Sequence, residues 1–323
     1  MNILIIGGAG YVGSELAPML AKKNKVTVFD LFIYGQTLAE SENLSLIKGD
    51  LRDIGNLKKI VKNFDAVIHL ACISNDPSFD LDPSLGKSIN FDPFEDLVKI
   101  SKDSGVSRFI YASSSSVYGI KQEDNVDENF SLQPLTDYSK FKAKCEDVLL
   151  KYNDASFSCC IIRPATVCGY SKRQRLDLVV NILTNLAYNK SEIKVLGGSQ
   201  LRPNINIKDM CNSYDLVLNC DKKLINGEIF NVGYENNSVL RLAEIVKESF
   251  EKNIEIKMVE SNDNRSYHIS SEKIKNKLGF SNKFTIKDAV IDLISAMDKK
   301  LITNTLDNEF YFNIKRMNSI NLK

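Results

Sequence analysis

Histidine is scarce in this chain of 323 residues, which contains only His69 and His268. Histidine is the side chain that most often moves protons near neutral pH. In any acid–base reaction, a carboxylate, lysine, tyrosine or cysteine must therefore take that role. Two isolated histidines and seven dispersed cysteines also lack the spacing of metal ligands, so the sequence predicts no metal site.

The chain also lacks an excess of either charge, because 42 Lys and Arg face 41 Asp and Glu. A formal charge of +1 gives no overall field that would attract nucleic acid or an anionic membrane, so neither is expected as a partner. An odd number of cysteines without a C-x-x-C motif fits neither a disulfide framework nor a zinc cage, and indicates reduced thiols. No apolar run approaches the roughly 18 residues that span a bilayer, and no signal peptide follows Met1. We therefore expect a soluble, cytoplasmic protein.

Short apolar runs alternate with longer segments of helical periodicity through the first half of the chain. This alternation is typical of βαβ units, and strands that are apolar throughout are buried on both faces of a parallel sheet. The predicted strands are residues 2–6, 25–29, 45–48, 65–70, 107–112 and 157–162, and the predicted helices are residues 11–22, 54–63, 84–103 and 137–152. The predicted fold class is α/β, a doubly wound parallel Rossmann sheet with a smaller C-terminal substrate-binding lobe.

The pattern becomes less regular after residue 165. Three further helices and one strand that returns to the main sheet are predicted: helices 177–189, 238–252 and 285–300, and strand 228–232. We therefore expect a Rossmann domain over residues 1–165 with a returning segment at about 200–235. The substrate-binding lobe is expected to consist of residues 166–199 and 236–323. The tail after about residue 303 is polar and gives no structural signal.

A glycine-rich turn with Gly7, Gly8, Gly10 and Gly13 lies between the first predicted strand and the first predicted helix. Here Gly7 and Gly8 permit a tight turn, Gly10 lets the backbone approach a pyrophosphate, and Gly13 lets the helix pack on the strand. The second strand ends at Asp30, where a carboxylate can accept hydrogen bonds from an adenosine ribose. Its charge would repel a 2′-phosphate, so we expect NAD rather than NADP. The cofactor-binding residues predicted from this motif are Gly7, Gly10, Tyr11, Val12, Gly13 and Asp30.

Tyr138 and Lys142 stand four residues apart in a predicted helix and project from one helix face. An isolated phenol has a pKa of roughly 10, so its ionisation at pH 7 costs about 4 kcal/mol. A nearby ammonium, together with the positive nicotinamide ring, lowers that cost, which would make Tyr138 a base for a sugar or alcohol hydroxyl. A serine cluster at 113–116 follows a strand at the sheet edge where ligands bind, and one of its hydroxyls could bridge substrate and tyrosine. The alternatives are a partly buried tyrosine beside a solvated lysine, and a serine-rich polar turn.

Taken together, these motifs resemble those of the extended short-chain dehydrogenase/reductase family, in its NAD-dependent sugar-nucleotide epimerase/dehydratase branch. The resemblance covers nearly the whole chain. Beyond the glycine turn and the Tyr138–Lys142 pair, it rests on Asp50-Leu51, His69 to Cys72, Ser113-Ser114 ahead of Val117-Tyr118-Gly119, Arg163-Pro164, and Arg202 with Asp209.

The resemblance implies a role for each matching residue. Ser114, Tyr138 and Lys142 are expected to be catalytic, with Tyr138 as the base and Lys142 on the nicotinamide ribose. Further residues expected at the cofactor are Asp50 and Leu51 beside the adenine, Leu70, Ala71, Cys72 as a small buried filler, Asn90 as a backbone prop, and Pro164. Residues expected at the substrate are Ser114, Ser115, Thr166, Arg175, Arg202 as a diphosphate anchor, Arg265 and Tyr267. Arg202 or Arg265 could instead form surface ion pairs.

Some positions depart from the family pattern and bear on the reaction. Ser115 and Ser116 stand where the 4,6-dehydratases carry an Asp-Glu pair. Because a serine hydroxyl cannot replace a carboxylate base, we do not expect loss of water from the sugar. Thr166 replaces an asparagine common in the epimerases, and Asn206 replaces a common histidine, so the identity of the substrate stays open.

The expected reaction is oxidation at C4 of a nucleotide-diphosphate sugar to a 4-keto sugar, in the synthesis of surface-polysaccharide precursors. The protein would be a 4-epimerase if the intermediate rotates in the cleft and takes the hydride back on its other face. It would be a 4-dehydrogenase if the intermediate departs. Decarboxylation of a uronic acid, with Arg173 or Arg175 at the carboxylate, is a third outcome, although we expect both arginines in a solvated loop or on a phosphate. A non-catalytic NAD-sensing module is the alternative from another class. The resemblance also implies a homodimer.

Overall fold

The computed structural model describes residues 1–121, 123, 125–260, 266 and 268–323. Strands and helices alternate through the first half of the chain, and the order becomes irregular in the second half. The strands are β1 (Asn2–Ile6), β2 (Lys25–Asp30), β3 (Leu44–Lys48), β4 (Ala66–His69), β5 (Arg108–Ala112), β6 (Ser158–Pro164), β7 (Thr166–Cys168), β8 (Glu192–Leu196), β9 (Leu201–Asn206), β10 (Glu228–Val232), β11 (Glu235–Ser238) and β12 (Glu255–Val259).

The helices lie between and after these strands. They are α1 (Gly13–Ala21), α2 (Ile54–Ile60), α3 (Asp76–Phe79), α4 (Pro83–Asn90), α5 (Phe94–Asp103), α6 (Asp137–Tyr152), α7 (Val179–Lys190), α8 (Ile207–Asn219), α9 (Val239–Glu248), α10 (Glu272–Leu278), α11 (Ile286–Asp298) and α12 (Asn313–Ser319). Short 3₁₀ turns occupy Ser115–Tyr118, Lys222–Leu224 and Glu309–Tyr311. No helix in the described ranges is long and apolar enough to cross a membrane.

Seven strands form one parallel sheet in the order β10-β6-β5-β4-β1-β2-β3. The apolar runs are buried because α1 and α8 cover one face of the sheet while α2, α5 and α6 cover the other. The predicted α/β class and doubly wound sheet are confirmed. The strand order reverses between β1 and β4, and a crevice at the carboxyl ends of the strands beside such a reversal is the usual ligand site of this architecture.

The single helix predicted over 84–103 is wrong, because the chain forms α4 and α5 with a break at residues 91–93. Pro93 lacks an N–H group, and its ring disfavours helical backbone at the residue before it, so a continuous helix would be destabilised there. The break leaves Asn90 as the last residue of α4. Its amide group accepts a hydrogen bond from the Ile73 N–H at 2.8 Å and donates to the Ile73 carbonyl at 3.0 Å.

The second half of the chain builds smaller sheets beside the main one. β9 pairs with β7 in parallel and with β11 in antiparallel orientation, and β8 pairs with β12. Residues of α7, α9 and α11 form an apolar cluster of their own with β8. Within the segment expected to return to the Rossmann domain, β10 joins the main sheet, whereas β9 belongs to the second sheet. The division of the chain into two domains stays a prediction.

A buried ion pair joins α6 to β6. Arg163 donates to Glu146 with an Nη2–Oε2 distance of 2.6 Å, and the two side chains are 3% and 2% exposed. Removing two charges from water is costly, and further hydrogen bonds offset that cost here. The Ser113 hydroxyl donates to Glu146, and Arg163 Nη1 donates to the Tyr118 hydroxyl at 2.7 Å. The Tyr118 hydroxyl in turn donates to Asn231 Oδ1 on β10 at 2.7 Å.

Replacing Arg163 with methionine should destabilise the protein by about 3–5 kcal/mol, because Glu146 would be left buried without its partner. The free energy of unfolding in urea measures the change. As a control, Arg241→Met removes an exposed arginine that pairs with Glu244 and Glu248, and should leave the unfolding midpoint close to that of the wild type. An Arg163→Met protein as stable as the wild type would contradict this account.

Candidate active site

A cavity of about 320 Å³ opens at the carboxyl edge of the main sheet, beside the ends of β1 and β4. Most residues predicted to bind cofactor or substrate line it: Gly7, Gly10, Tyr11, Val12, Gly13, Asp30, Leu51, Leu70, Ala71, Cys72, Ser114, Ser115, Tyr138, Lys142, Pro164, Thr166 and Arg175. Cys72 is half-buried rather than fully buried as expected. The fold thus gathers residues from β1 through the segment after β7 around one space.

The glycine turn forms one wall of the cavity. Gly7 has φ +79°, and a Cβ placed on it would lie 2.4 Å from the backbone N and Cα of Ala71. A Cβ on Gly13 would lie 2.5 Å from the Cα and carbonyl oxygen of Gly8. Both clashes are with backbone, so neither position accepts a side chain without moving a strand or the turn. The N-terminus of α1 lies at this wall, and the turn therefore fits the pyrophosphate of a dinucleotide.

Asp30 lies at the cavity next to the glycine turn. Its carboxylate accepts hydrogen bonds from the Ala9 N–H at 3.0 Å and from the Phe32 N–H at 2.7 Å, which fix its orientation. Burial raises the pKa of Asp30 above its usual value, an effect that these two bonds oppose. Each carboxylate oxygen keeps a lone pair for a further donor. The arrangement therefore fits an adenosine ribose with free hydroxyls and disfavours a 2′-phosphate.

Ser114, Tyr138 and Lys142 meet at the other side of the cavity. Ser114 acts on the Tyr138 phenol and lowers its pKa, and the Ser114 and Ser116 hydroxyl oxygens are 2.8 Å apart. Thr136 caps the N-terminus of α6, so Tyr138 lies in the first turn of this helix and Lys142 one turn later. The Lys142 ammonium donates to the Ala112 carbonyl at 2.6 Å and lies 5.8 Å from the centre of the Tyr138 ring.

Lys142 is not among the groups that act most strongly on the pKa of Tyr138, and the expectation that it lowers this pKa together with a nicotinamide ring stays a prediction. Burial raises the pKa of Tyr138 well above its usual value, and the groups that oppose this effect are Arg175 and Ser114. Lys142 is instead held by the Ala112 carbonyl. The phenol is therefore protonated at neutral pH until further positive charge enters the cavity.

Arg173 and Arg175 are buried, at 3% and 7% exposure, so the expectation that they lie in a solvated loop is wrong. Arg173 stacks over the Tyr34 ring, 3.6 Å from its centre, and burial lowers the pKa of Arg173 to about 10, which leaves it charged at pH 7. Arg175 donates to Asp177 at 2.8 Å and to the Ser74 hydroxyl at 3.0 Å. Within the described part of the chain, Arg173 Nε and Nη1 and Arg175 Nη2 are buried without a hydrogen-bond partner. Such guanidinium groups suit an anionic ligand.

Some predicted site residues do not line the cavity. The Asp50 carboxylate is occupied by the Arg52 guanidinium, with an Nη2–Oδ2 distance of 2.6 Å. Asn90 is 5% exposed and supports the backbone of Ile73, which itself lines the cavity. Arg202 lies in β9, is not among the lining residues, and donates to the Leu201 carbonyl at 2.9 Å. The predicted substrate residues Arg265 and Tyr267 lie outside the described residues.

The structure adds lining residues that the sequence analysis missed: Ile33, Tyr34, Ser74, Asn75, Asp76, Leu178, Met210, Tyr214 and Leu322. Ile33 and Tyr34 follow β2, and Ser74 to Asp76 follow β4. Because the carboxyl ends of parallel strands meet at one edge, their positions after predicted strands could have identified them. Met210 and Tyr214 lie on α8, which was not predicted, and Leu322 lies in the tail that gave no structural signal.

Neither histidine is among the described residues that line the cavity with Ser114, Tyr138 and Lys142. His69 is 2% exposed, and its ring stacks on Tyr111 with 5.8 Å between ring centres. Burial, together with the charge of Lys142, lowers the pKa of His69 to about 3, so it is neutral at physiological pH. The His268 ring contacts the Glu123 carbonyl. In the described ranges, no group of three or more His, Cys, Asp or Glu side chains could hold a metal ion.

Comparison with known proteins identifies one family. A model of the NAD dependent epimerase/dehydratase family matches residues 3–233. The chain is 26% identical to a UDP-glucose 4-epimerase of Lactobacillus helveticus, over 76% of this chain and 82% of the relative. It is 31% identical to a dTDP-D-glucose 4,6-dehydratase of Dictyostelium discoideum, over 72% and 58% of the two chains. The solved UDP-glucuronic acid 4-epimerase of Bacillus cereus, in complex with UDP-glucuronic acid and NAD, is 25% identical and superposes with a TM-score of 0.84 over 93% of this chain and 99% of that chain.

The lowered pKa of His69 makes stability depend on pH. Below pH 6.5 the unfolded chain takes up a proton at this residue that the folded protein excludes, so stability falls as pH decreases towards 3. When the pH decreases from 8 to 5, we expect this residue to lower the free energy of unfolding by about 2 kcal/mol. Urea unfolding at the two pH values should show a smaller difference for His69→Phe than for the wild type. Equal differences in the two proteins would show that His69 is not excluded from protonation.

Proposed function

The chain belongs to the NAD dependent epimerase/dehydratase family, and we propose that it oxidises C4 of a nucleotide-diphosphate sugar to a 4-keto sugar. The observation that carries this proposal is that Ser114, Tyr138 and Lys142 line one cavity whose other wall is a dinucleotide turn with Asp30. The 4-keto sugar either takes the hydride back and becomes the C4 epimer, or leaves the protein as the ketone. We place the reaction in the synthesis of surface-polysaccharide precursors, as the family resemblance implies.

The residues that would hold NAD are those of the first wall. The Gly7–Gly13 turn would bind the pyrophosphate at the N-terminus of α1, and Asp30 would accept the hydroxyls of the adenosine ribose. Leu70 and Ala71, at the end of β4, would lie along the cofactor. Bound NAD⁺ would supply the hydride acceptor and a positive ring charge close to Tyr138.

Tyr138 would remove the proton from the oxygen of the C4 hydroxyl, while the hydride leaves from C4 at the other end of the C–O bond. Ser114 would bridge the substrate oxygen and the phenol, as donor to one and acceptor from the other. Positive charge is what the buried phenol requires in order to ionise. Arg175 already contributes such charge, and Lys142 could contribute more if it exchanged the Ala112 carbonyl for the ribose and the phenol. Because neither histidine lines the cavity, the other described groups there that could act as a base are carboxylates, Cys72 and further tyrosines.

Two carboxylates, Asp30 and Asp76, occur among the described lining residues. Asp30 is held at the ribose end, and Asp76 accepts a hydrogen bond from Thr136 at the N-terminus of α6 at 2.5 Å. The positions after Ser114 are serines, so no acid–base pair follows the catalytic hydroxyl. We therefore favour epimerisation or simple oxidation over the loss of water that the name of the Dictyostelium discoideum relative describes.

A uronic acid is a second candidate substrate, favoured by Arg175. Its Nη2 group is buried without a partner in the described structure, and its charge lowers the pKa of Tyr138. Arg173 stacks on Tyr34 and lowers the pKa of Asp30. A sugar carboxylate would satisfy Arg175, and the 4-keto acid could then be epimerised or decarboxylated. The homodimer implied by the resemblance stays a prediction, to be tested by the mass in solution.

Replacing Tyr138 with phenylalanine should leave NAD binding intact and reduce turnover by about 100- to 10,000-fold, because the base is lost while the ring remains. Isothermal titration calorimetry measures NAD binding, and the conversion of UDP-sugars measures turnover. Tyr152→Phe, in the same helix and bonded only to the surface residue Glu95, is the matched control. Unchanged turnover in Tyr138→Phe would exclude this mechanism. If the wild-type protein binds NAD but none of the sugar nucleotides reduces the bound NAD, that result would instead favour the NAD-sensing module.

Replacing Arg175 with methionine should raise KM for UDP-glucuronic acid by about 10- to 100-fold and leave KM for UDP-glucose nearly unchanged. A charge-assisted hydrogen bond of roughly 1.5–3 kcal/mol would be lost with the acidic sugar alone. Arg241→Met controls for the removal of an arginine elsewhere. Equal losses with both sugars would identify Arg175 as a phosphate ligand and remove the case for a uronic acid. Product masses separate epimerisation from loss of carbon dioxide.

A further inference from the structure

Residues 309–323, here called the strap, pass beside the cavity at the carboxyl edge of the main sheet. The strap comprises the 3₁₀ turn Glu309–Tyr311, α12 and the four residues that follow it. It lies outside the region matched by the family model, which ends at residue 233, so the family likeness assigns it no role. One part of the strap makes polar contacts with the cavity wall, and another part contributes an apolar side chain to it.

The polar contacts come from Asn313 and Arg316. Asn313 is 2% exposed, accepts a hydrogen bond from Arg173 Nη2 at 2.6 Å and donates to the Ser74 hydroxyl at 3.2 Å. Arg316 donates to the Ile33 carbonyl at 2.5 Å. Arg173, Ser74 and Ile33 all line the cavity and follow different strands. The strap therefore joins the loops after β2, β4 and β7 across the cavity.

The apolar contribution is Leu322. Its side chain lines the cavity together with Phe29, Gly49 and Leu51, and it packs against the apolar cluster that contains Phe29 and Leu51. These three residues belong to the ends of β2 and β3, on the side of Asp30 away from Tyr138. Leu322 is thus part of the cavity wall at this end.

Two hydrogen bonds fix Leu322 in that position. The Leu322 N–H donates to the Met317 carbonyl at 3.1 Å, and Met317 itself is 3% exposed in the same apolar cluster. The carbonyl of Lys323 accepts a hydrogen bond from Arg52 Nη2 at 2.8 Å, and the same guanidinium holds Asp50. The Asp50–Arg52 pair therefore anchors the strap. The Asp50 carboxylate does not line the cavity, but it holds the guanidinium that binds the end of the strap.

The position of Leu322 corresponds to one end of the cofactor. A dinucleotide with its pyrophosphate on the glycine turn and its ribose on Asp30 must place its nicotinamide towards Tyr138 and its adenine on the opposite side. On that side the described lining residues are apolar, and one of them is Leu322. We propose that the strap is part of the cofactor site, and that Leu322 packs on the adenine of NAD and slows its release.

Binding of nucleotide fragments to the full chain tests this proposal without any sugar substrate. Leu322→Asp should raise the Kd for NAD by about tenfold or more, because the leucine contributes apolar burial and the new carboxylate would face the adenine. Isothermal titration calorimetry should show the same relative change with ADP-ribose, which carries the adenine. Nicotinamide mononucleotide, which lacks it, should bind the variant and the wild type alike. The rate of NAD release, measured by competition, should rise in parallel with the Kd.

Matched variants separate a binding role from a structural one. Ile314→Asp changes an exposed residue of the same strap that does not line the cavity, and should leave the Kd for NAD within about twofold of the wild type. Leu322→Met keeps the apolar volume and should retain wild-type affinity. If Leu322→Asp does not fold, Leu322→Ala carries the same test with a smaller expected rise. An unchanged Kd for NAD in Leu322→Asp and Leu322→Ala, or an equal loss of nicotinamide mononucleotide binding, would overturn the proposal.

Discussion

The geometry of the reacting side chains depends on two opposite charges held out of water. Glu146 lies four residues after Lys142 and eight after Tyr138, so the three side chains occupy one face of α6. Arg163 fixes that face against β6, and Ser113 adds the loop that carries Ser114. The pair alone would be costly to bury, and it is retained together with the hydrogen bonds of Ser113 and Tyr118. A single polar network thus sets the distance between helix, strand and loop at the cavity.

The same exclusion of water explains the protonation of the cavity. Tyr138 and Asp30 are both shifted towards their neutral forms by burial, while Arg173 and Arg175 keep their charge. Arg175 is paired with Asp177, while other guanidinium nitrogens of Arg173 and Arg175 are buried without a partner in the described structure and present positive charge to a ligand. An anionic ligand compensates this charge, and the phenol ionises more easily when a cationic ring is close. Ligand binding and activation of the base are for this reason coupled in the proposed mechanism.

Much of the first half of the fold could be predicted because its strands are short, apolar and bounded by clear turns. The β1 run, the glycine turn and Asp30 follow one another in sequence, so local pattern was sufficient to locate the nucleotide wall. Long-range contacts were not accessible in this way. The attachment of Lys142 to the Ala112 carbonyl, the burial of Arg173 and the position of Leu322 each depend on segments that are far apart in the chain. The break at Pro93 had a local signal that the helical periodicity obscured.

The place of β10 in the main sheet makes the two halves of the chain interdependent. Its five residues pair with β6, so β6 is covered on one side by a strand that follows β7, β8 and β9 in the chain. A fragment ending near residue 165 would expose the β6 edge, a row of unpaired backbone groups on an almost wholly buried apolar strand. Such an edge invites pairing with other copies. The nucleotide-binding half is thus an inseparable part of a larger folding unit, and recombination between relatives would need to exchange residues 158–164 and 228–232 together.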